Sequence, residues 1–412
     1  MTKTVDTVVI GAGQAGLSIS YYLTQQGRDH IVLEKSRVGE SWRSGRWDSF
    51  TLVAPNWTLQ LPGFHYQGDA PDGFLTRDEV VDYLERYVEF FNPPLHLGVQ
   101  ATSVKQVRDG GKYLVDTTDG SLEANNVVVA TGSFQQPKIP AFSKGLPGQI
   151  LQIHSAEYRN PGALPPGAVL VVGSGQSGCQ IAEELYKTGR KVYLCVGSAG
   201  RMPRRYRGRD MAWWFDKTGL ADKTVDTLPS PKAKFAASAH VTGKDGGRTL
   251  NLHQFARDGV VLLGRMTGVR GGKAILAPDL MENLAKADKF AADMQKAVDE
   301  YIQKVGLDVP EEPPSTEPEP QDGYHAEVIT QLDLKSADIQ TVIWATGYTF
   351  DFKWIQLPVL DEDGYPVQQR GVTGFRGLYF LGLLWLHTIK SGLLAGVGED
   401  AAHIAADIAA RT

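Results

Sequence analysis

Two six-residue stretches, GAGQAG at Gly11–Gly16 and GSGQSG at Gly173–Gly178, decide how this chain is read. The first follows the β-branched run TVVI (7–10) and precedes LSISYYL (17–23), whose apolar spacing is helical. HIVLEKS (30–36) then reads as the next strand. The second follows AVLVV (168–172), precedes CQIAEELY (179–186) and leads into KVYLCVG (191–197). The chain therefore writes strand, glycine turn, helix and strand twice, as a duplicated βαβ start and not as a short-period repeat.

In such a turn the first glycine permits the tight bend, the second lets the backbone approach a pyrophosphate, and the third lets helix and strand pack closely. The helix N-terminus adds open N–H groups and a positive dipole end. Gly11, Gly13, Gln14, Ala15 and Gly16 form the first expected phosphate cradle, and Gly173, Gly175, Gln176, Ser177 and Gly178 the second. The strands that follow end differently. Glu34, followed by Lys35, offers a carboxylate to a free ribose 2'-hydroxyl, which suits FAD or NAD. Val196 has no acid nearby. Instead GSAGRMPRRYR (197–207) carries Arg201, Arg204, Arg205 and Arg207, with Ser198 as an extra donor. These suit the 2'-phosphate of NADPH, and a solvated charged loop is the other reading of the run. One chain would then hold two dinucleotides, FAD and NADPH.

The chain has 412 residues, enough for two domains with cores of their own. A net charge of -5, from 42 basic and 47 acidic residues, provides no broad cationic face for nucleic acid or anionic lipid. The expected partners are small molecules. Cys179 and Cys195 form neither a CxxC pair nor part of a metal-ligand set, so no thiol redox centre and no metal site is expected. The apolar run GLYFLGLLWL (377–386) is too short to span a bilayer, and the N-terminus reads as a strand and glycine turn rather than a signal peptide. A soluble, cytoplasmic protein is the expectation.

Thr76 with Glu79 is a capping-box start for a helix through about Phe91, ended by NPP at 92–94. LMENLAKADKFAADMQKAVDEYI (280–302) places Leu280, Leu284, Phe290, Met294, Val298 and Ile302 close to one face, which reads as core packing. DVPEEPPSTEPEPQDG (308–323) reads as a solvated linker or surface loop, with a mobile lid as the sharper alternative.

The chain resembles the flavin-containing monooxygenases and their YUCCA-like and Baeyer-Villiger relatives. Glu34, Gly39 and Trp42 fit the ExxxxGxxW pattern, with Arg43 adjoining. ATG occurs at 130–132 and 345–347, HSAEY (154–158) is similar to the HSxxY linker, and GLYFLG (377–382) to the last flavin-domain strand. Gly148 and Ile150 stand where the family's F-x-G-x-x-x-H element has its phenylalanine and glycine, so only the second half of that element is present. Tyr158 stands where the Baeyer-Villiger version has tryptophan or proline.

The resemblance implies an α/β, glutathione-reductase-like flavoprotein with two Rossmann-like dinucleotide-binding domains. Residues 1–159 and 348–412 would form the FAD domain, and 160–347 the NADPH domain, with a substrate-site insertion at about 205–330 where Trp213, Trp214 and Phe215 either line the site or pack as core. It implies that Trp42, Arg43, Thr131, Gly132, Thr346, Gly347, Gly382, Ser391 and Gly392 lie against the cofactors, the last two at the start of a helix running from 390. It implies an NADPH- and O2-dependent oxygenation of a small organic substrate, at N or S or as in YUCCA enzymes, through a flavin C4a-(hydro)peroxide. Asn56, in TLVAPNW (51–57), is carried over as the active-site amide, with a Pro-Asn turn residue as its other reading. His154 is expected to orient the interdomain linker. An NADPH oxidase or reductase without oxygen transfer, a Baeyer-Villiger enzyme and a homodimer all remain compatible with the sequence.

Overall fold

Each glycine turn ends a parallel strand at the middle of its own sheet. In the computed structural model, which describes residues 3–107, 111–312 and 320–411, β1 (Lys3–Ile10) lies between β2 (His30–Glu34) and β6 (Gly120–Val129), parallel to both. β3 (Leu95–Leu97) extends the sheet beyond β2. β4 (Ala101–Gln106) and β5 (Tyr113–Thr117) form an antiparallel branch on β6. β12 (Leu378–Phe380), from the far end of the chain, joins β6 in parallel, so both ends of the sequence build one sheet. α1 (Gln14–Gln25) packs on this sheet beside α5 (Val397–Ala409), and α2 (Arg77–Phe91) starts on a complete Thr76–Glu79 capping box.

The second sheet has the order β7 (Leu151–His154), β11 (Ile339–Trp344), β8 (Ala168–Val172), β9 (Val192–Cys195) and β10 (Val261–Leu263), all parallel. Buried strands with apolar side chains on both faces are what a parallel sheet between layers requires. β8 is buried at every position, and α3 (Gln176–Lys187) covers it. Two expectations shift here. Leu151–His154 pairs in the second sheet, so that unit begins before residue 160. Val261–Leu263, inside the stretch expected as an insertion, is the edge strand of the nucleotide sheet.

The rest of the insertion includes hairpins at 205–210, 241–249 and 266–276, helices at Met211–Lys217 and Leu252–Arg257, 3-10 turns through Phe235, and the long helix α4 (Leu280–Val305). The segment 220–235 is tied to the first sheet's unit by Val225 N–H to His387 O (2.8 Å), Lys390 to Asp222 (2.5 Å) and Lys234 to Asp361 (3.3 Å). Residues 313–319 of the expected linker lie outside the described residues. No helix among the described residues is long and apolar enough to cross a membrane.

Candidate functional site

The two cradles repeat each other in backbone detail. Gly11 N–H donates to Leu33 O (2.7 Å) while Ala130 N–H donates to Ile10 O (2.9 Å). Gly173 N–H donates to Cys195 O (3.1 Å) while Ala345 N–H donates to Val172 O (2.9 Å). Each loop is thereby clamped between the following strand and the crossover leaving the sheet. Gly11 and Gly173 sit at φ 111° and 109°, and a Cβ on them would meet the carbonyls of Ala130 at 2.6 Å and Ala345 at 2.5 Å. Gly16 and Gly178 press on the carbonyls of Gly11 and Gly173, so a side chain there collides with backbone.

Gly13 and Gly175 behave otherwise. A Cβ on Gly13 meets nothing within 4 Å, and on Gly175 only Ser238 O at 3.9 Å. Nothing in the protein explains a glycine there; a ligand approaching the backbone does. The first intrahelical donors of α1 and α3 are Leu17 and Cys179, and neither N-cap carries a side-chain cap. The N–H groups ahead of them are left for an anion. The residues present fit two pyrophosphates.

Around the first cradle, Glu34 accepts from Ala12 N–H and Ser36 N–H, both at 2.9 Å, which fixes its carboxylate at the end of β2. Gln14 donates to Gly392 O (3.2 Å), and its amide oxygen accepts from the Trp42 indole (3.4 Å), tying α1 to both flanks. Lys35, Trp42, Thr131, Gly132, Gly382 and Gly392 border the same cavity. Thr346 and Gly347 belong to the second crossover: the Thr346 hydroxyl donates to Lys138 O, and Gly347 O faces His154 Nε2 at 3.0 Å. His154 is buried with its pKa lowered by desolvation, a neutral ring fastening β7 to that crossover.

Several expected site residues are placed elsewhere. Arg43 turns outward to Glu85 and the Val38 carbonyl and does not border the cavity. Ser391 Oγ accepts from His387 and Thr388 N–H inside a 3-10 turn (Ile389–Gly392), and the helix expected from 390 begins at Val397. Asn56 is buried with both amide atoms used: Nδ2 donates to Ala70 O (2.9 Å) and Oδ1 accepts from Leu75 N–H (2.8 Å). It pins the 70–75 loop, and Val53, Ala54 and Trp57, not Asn56, line the cavity. The turn reading replaces the active-site one.

The arginines after Val196 are also engaged. Arg204 pairs with Asp210, donates to Val53 O (2.7 Å) and lies over Phe74. Arg205 caps the Gly246 and Gly247 carbonyls, and Arg207 pairs with Asp299. Arg204 and Arg205 hold the insertion together, a structural role in place of the expected phosphate contact. Arg201 is buried, pairs with Asp288 at 3.2 Å and does not border the cavity; beside it Met202 N–H donates to His240 O and His240 N–H to Gly200 O, joining the 200–202 and 240 segments. Ser198 is exposed beside it, and Ser177 is half-buried in the first turn of α3.

The cavity itself has a volume of about 1480 Å³ and is continuous from Gly11, Gly13 and Glu34 to Gln176 and Gly200. The apolar side chains of its wall include Trp57, Phe215, Leu220, Phe290, Met294 and Trp385. Of the expected trio only Phe215 reaches it. Trp214 is fully buried with its indole on Tyr206 O (2.8 Å), and Trp213 packs against it. Phe290 and Met294, read from the sequence as core, line the cavity, because α4 passes it midway along its length. Cys179 and Cys195 are buried outside it. Burial raises both thiols, Cys195 to about 12, so neither supplies a thiolate at the site.

Two cradles opening on one cavity, with an acid fixed at the first ribose position, define a flavin-dependent oxidoreductase of the two-dinucleotide class. The chain belongs to the CzcO-like oxidoreductases: it is 37% identical over 413 residues to the CzcO-like oxidoreductase of Geobacillus kaustophilus (strain HTA426), covering 99% of each. A family model described as pyridine nucleotide-disulphide oxidoreductase matches residues 8–209. The chain is also similar to the probable indole-3-pyruvate monooxygenase YUCCA3 of Arabidopsis thaliana, 26% identical over 98% of this chain and 86% of that protein. It shares the two-domain α/β flavoprotein fold of a flavin-containing monooxygenase from Stenotrophomonas maltophilia (TM-score 0.66, 20% identity, 100% and 99% of the two chains covered).

Proposed function

We propose that this protein is an NADPH- and O2-dependent FAD monooxygenase that places one oxygen atom on a small organic substrate. The observation that carries the reading is the one cavity of about 1480 Å³, which reaches both cradles and whose wall includes large apolar side chains suited to a carbon-rich ligand. Bound flavin supplies hydride acceptance and reaction with O2. The protein does the rest. The open N–H groups of Gln14–Gly16 hold the FAD pyrophosphate and Glu34 its ribose. Those of Gln176–Gly178 hold the NADPH pyrophosphate. Trp57, Phe215, Phe290 and Trp385 exclude water from the cavity, and the 220–235 segment covers it from the insertion side. Disulfide exchange is disfavoured because both thiols are sealed in the core.

The placement of Asn56 favours a second reading, an NADPH oxidase or reductase without oxygen transfer, since the amide implied beside the flavin fastens the 70–75 loop and does not line the cavity. Measuring hydrogen peroxide and oxygenated product per NADPH consumed, across amines, sulfides, ketones and 2-oxo acids, separates the two. A substrate that lowers the peroxide yield and appears as a product one oxygen heavier supports the monooxygenase. One peroxide per NADPH with every substrate supports the oxidase.

A further inference from the structure

Arg46 is a cation in an aromatic box. Its guanidinium lies 4.9 Å from the ring centre of Phe134, 5.3 Å from that of Trp42 and 5.4 Å from that of Phe50, with the Tyr348 side chain beside it. No carboxylate among the described residues pairs with it; the acceptors it meets are neutral, the Gly45 carbonyl at 2.9 Å and the Tyr348 side chain. The other half-buried or buried cations of the cavity wall are all neutralised: Arg204 by Asp210, Lys234 by Asp361, and Lys390 by Asp222 and Glu399. Burial also pulls the Arg46 pKa below the ordinary arginine range, the mark of a charge held away from water without a counter-ion.

Its position says which anion is missing. Phe134 stands on the crossover that leaves Ala130, the residue abutting Gly11, and Tyr348 on the crossover that leaves Ala345, the residue abutting Gly173. The two crossovers pair with each other through Gln136–Pro137 and Tyr348–Thr349. Arg46 thus sits at the joint between the two phosphate cradles. We propose that Arg46 binds the pyrophosphate of the exchangeable nicotinamide dinucleotide, an inference that rests on the two-dinucleotide reading above.

Two features favour the nicotinamide nucleotide over the flavin. Phe134 is 52% exposed, so the box opens toward solvent, where a nucleotide that comes and goes must enter. The three rings also hold the guanidinium by cation–π attraction whenever no anion is present. A permanently bound flavin would not need that standby; a ligand released at each turnover does.

The test uses flavin-loaded wild type, Arg46→Gln and Arg46→Lys. NADP+ and NAD+ are each titrated by their perturbation of the flavin absorbance, and flavin content and melting temperature are recorded. Arg46→Gln should weaken NADP+ and NAD+ by the same factor, about tenfold or more, because the pyrophosphate is common to both. Arg46→Lys should recover part of the loss, since it keeps the charge without the planar fork. Flavin content and melting temperature should not change. Weakening of NADP+ alone would overturn the inference in favour of a 2'-phosphate contact, and loss of flavin in favour of the FAD pyrophosphate. Unchanged affinities would make the box a packing feature. A wild type that takes up no flavin would fail the underlying reading instead, before any variant is compared.

Discussion

Asn56 shows how a side chain's role follows from what has already claimed its atoms. With one amide atom on Ala70 O, which Gly73 N–H also reaches, and the other on Leu75 N–H, Asn56→Ala leaves the buried Leu75 N–H bare, at a cost of about 1–3 kcal/mol. The expected outcome is a lower melting temperature with an unchanged peroxide-to-product ratio; an altered ratio in a protein of unchanged stability would restore the active-site role. The Pro-Asn turn was legible in APNW. Which loop the amide would fasten was not, because the 70–75 partner is set only by the tertiary fold. Arg43 and Arg46 were inseparable in WRSGRW for the same reason: the local sequence does not say which arginine faces the crossovers.

His240 makes a second case at this scale. It is fully buried with its ring against the Ser174 backbone, and burial, then the Arg201 charge, lowers its pKa to about 4. The folded state therefore binds this proton less readily than the unfolded chain, whose histidine titrates near 6.5. Its contribution is fully present above about pH 6.5 and falls away as the pH drops toward 4, by up to about 3 kcal/mol. Urea unfolding at pH 7 and pH 5 should show His240→Met losing less stability on acidification than wild type. Equal losses would place the acid sensitivity elsewhere.

At the scale of elements, the strand–turn–helix units were readable because each rests on local rules: β-branched strands, a glycine turn and a helical apolar face. The geometry divides the glycines into two kinds. Gly16→Ala meets the Gly11 carbonyl and should destabilise the first unit even without cofactor, whereas Gly13→Ala meets only open space. Gly13→Ala is expected to match wild type in apo-protein melting temperature and to lose FAD affinity. If apo Gly13→Ala melts as low as Gly16→Ala, the second glycine is a folding residue and the cradle loses its main support. The element misread from sequence was the last helix. The chain makes a 3-10 turn over Ile389–Gly392, where a Cβ on Gly392 would come within 3.0 Å of the Leu384 nitrogen and 3.1 Å of the Gly382 carbonyl, and the helix starts only at Val397. Periodicity in KSGLLAGVGEDAAHIAADI does not reveal that approach.

At the scale of the whole molecule, the union of both chain ends in one sheet came from resemblance and not from pattern, since no local rule pairs β12 with β6 across the second unit. The cavity was less legible still. Its wall draws on Trp57, Phe215, Phe290 and Trp385, from four distant segments: Phe290 reads as core, Phe215 as either site or core, and no local pattern singles out the two tryptophans. On the function proposed above, the two cradles hold FAD and NADPH so that one reduces the other. The direct measurement is the absorbance spectrum of flavin-reconstituted protein under anaerobic titration with NADPH. The account requires one FAD per chain and loss of the oxidised flavin band with one equivalent of NADPH. A protein that takes up no flavin, or whose bound flavin NADPH leaves oxidised, would contradict it.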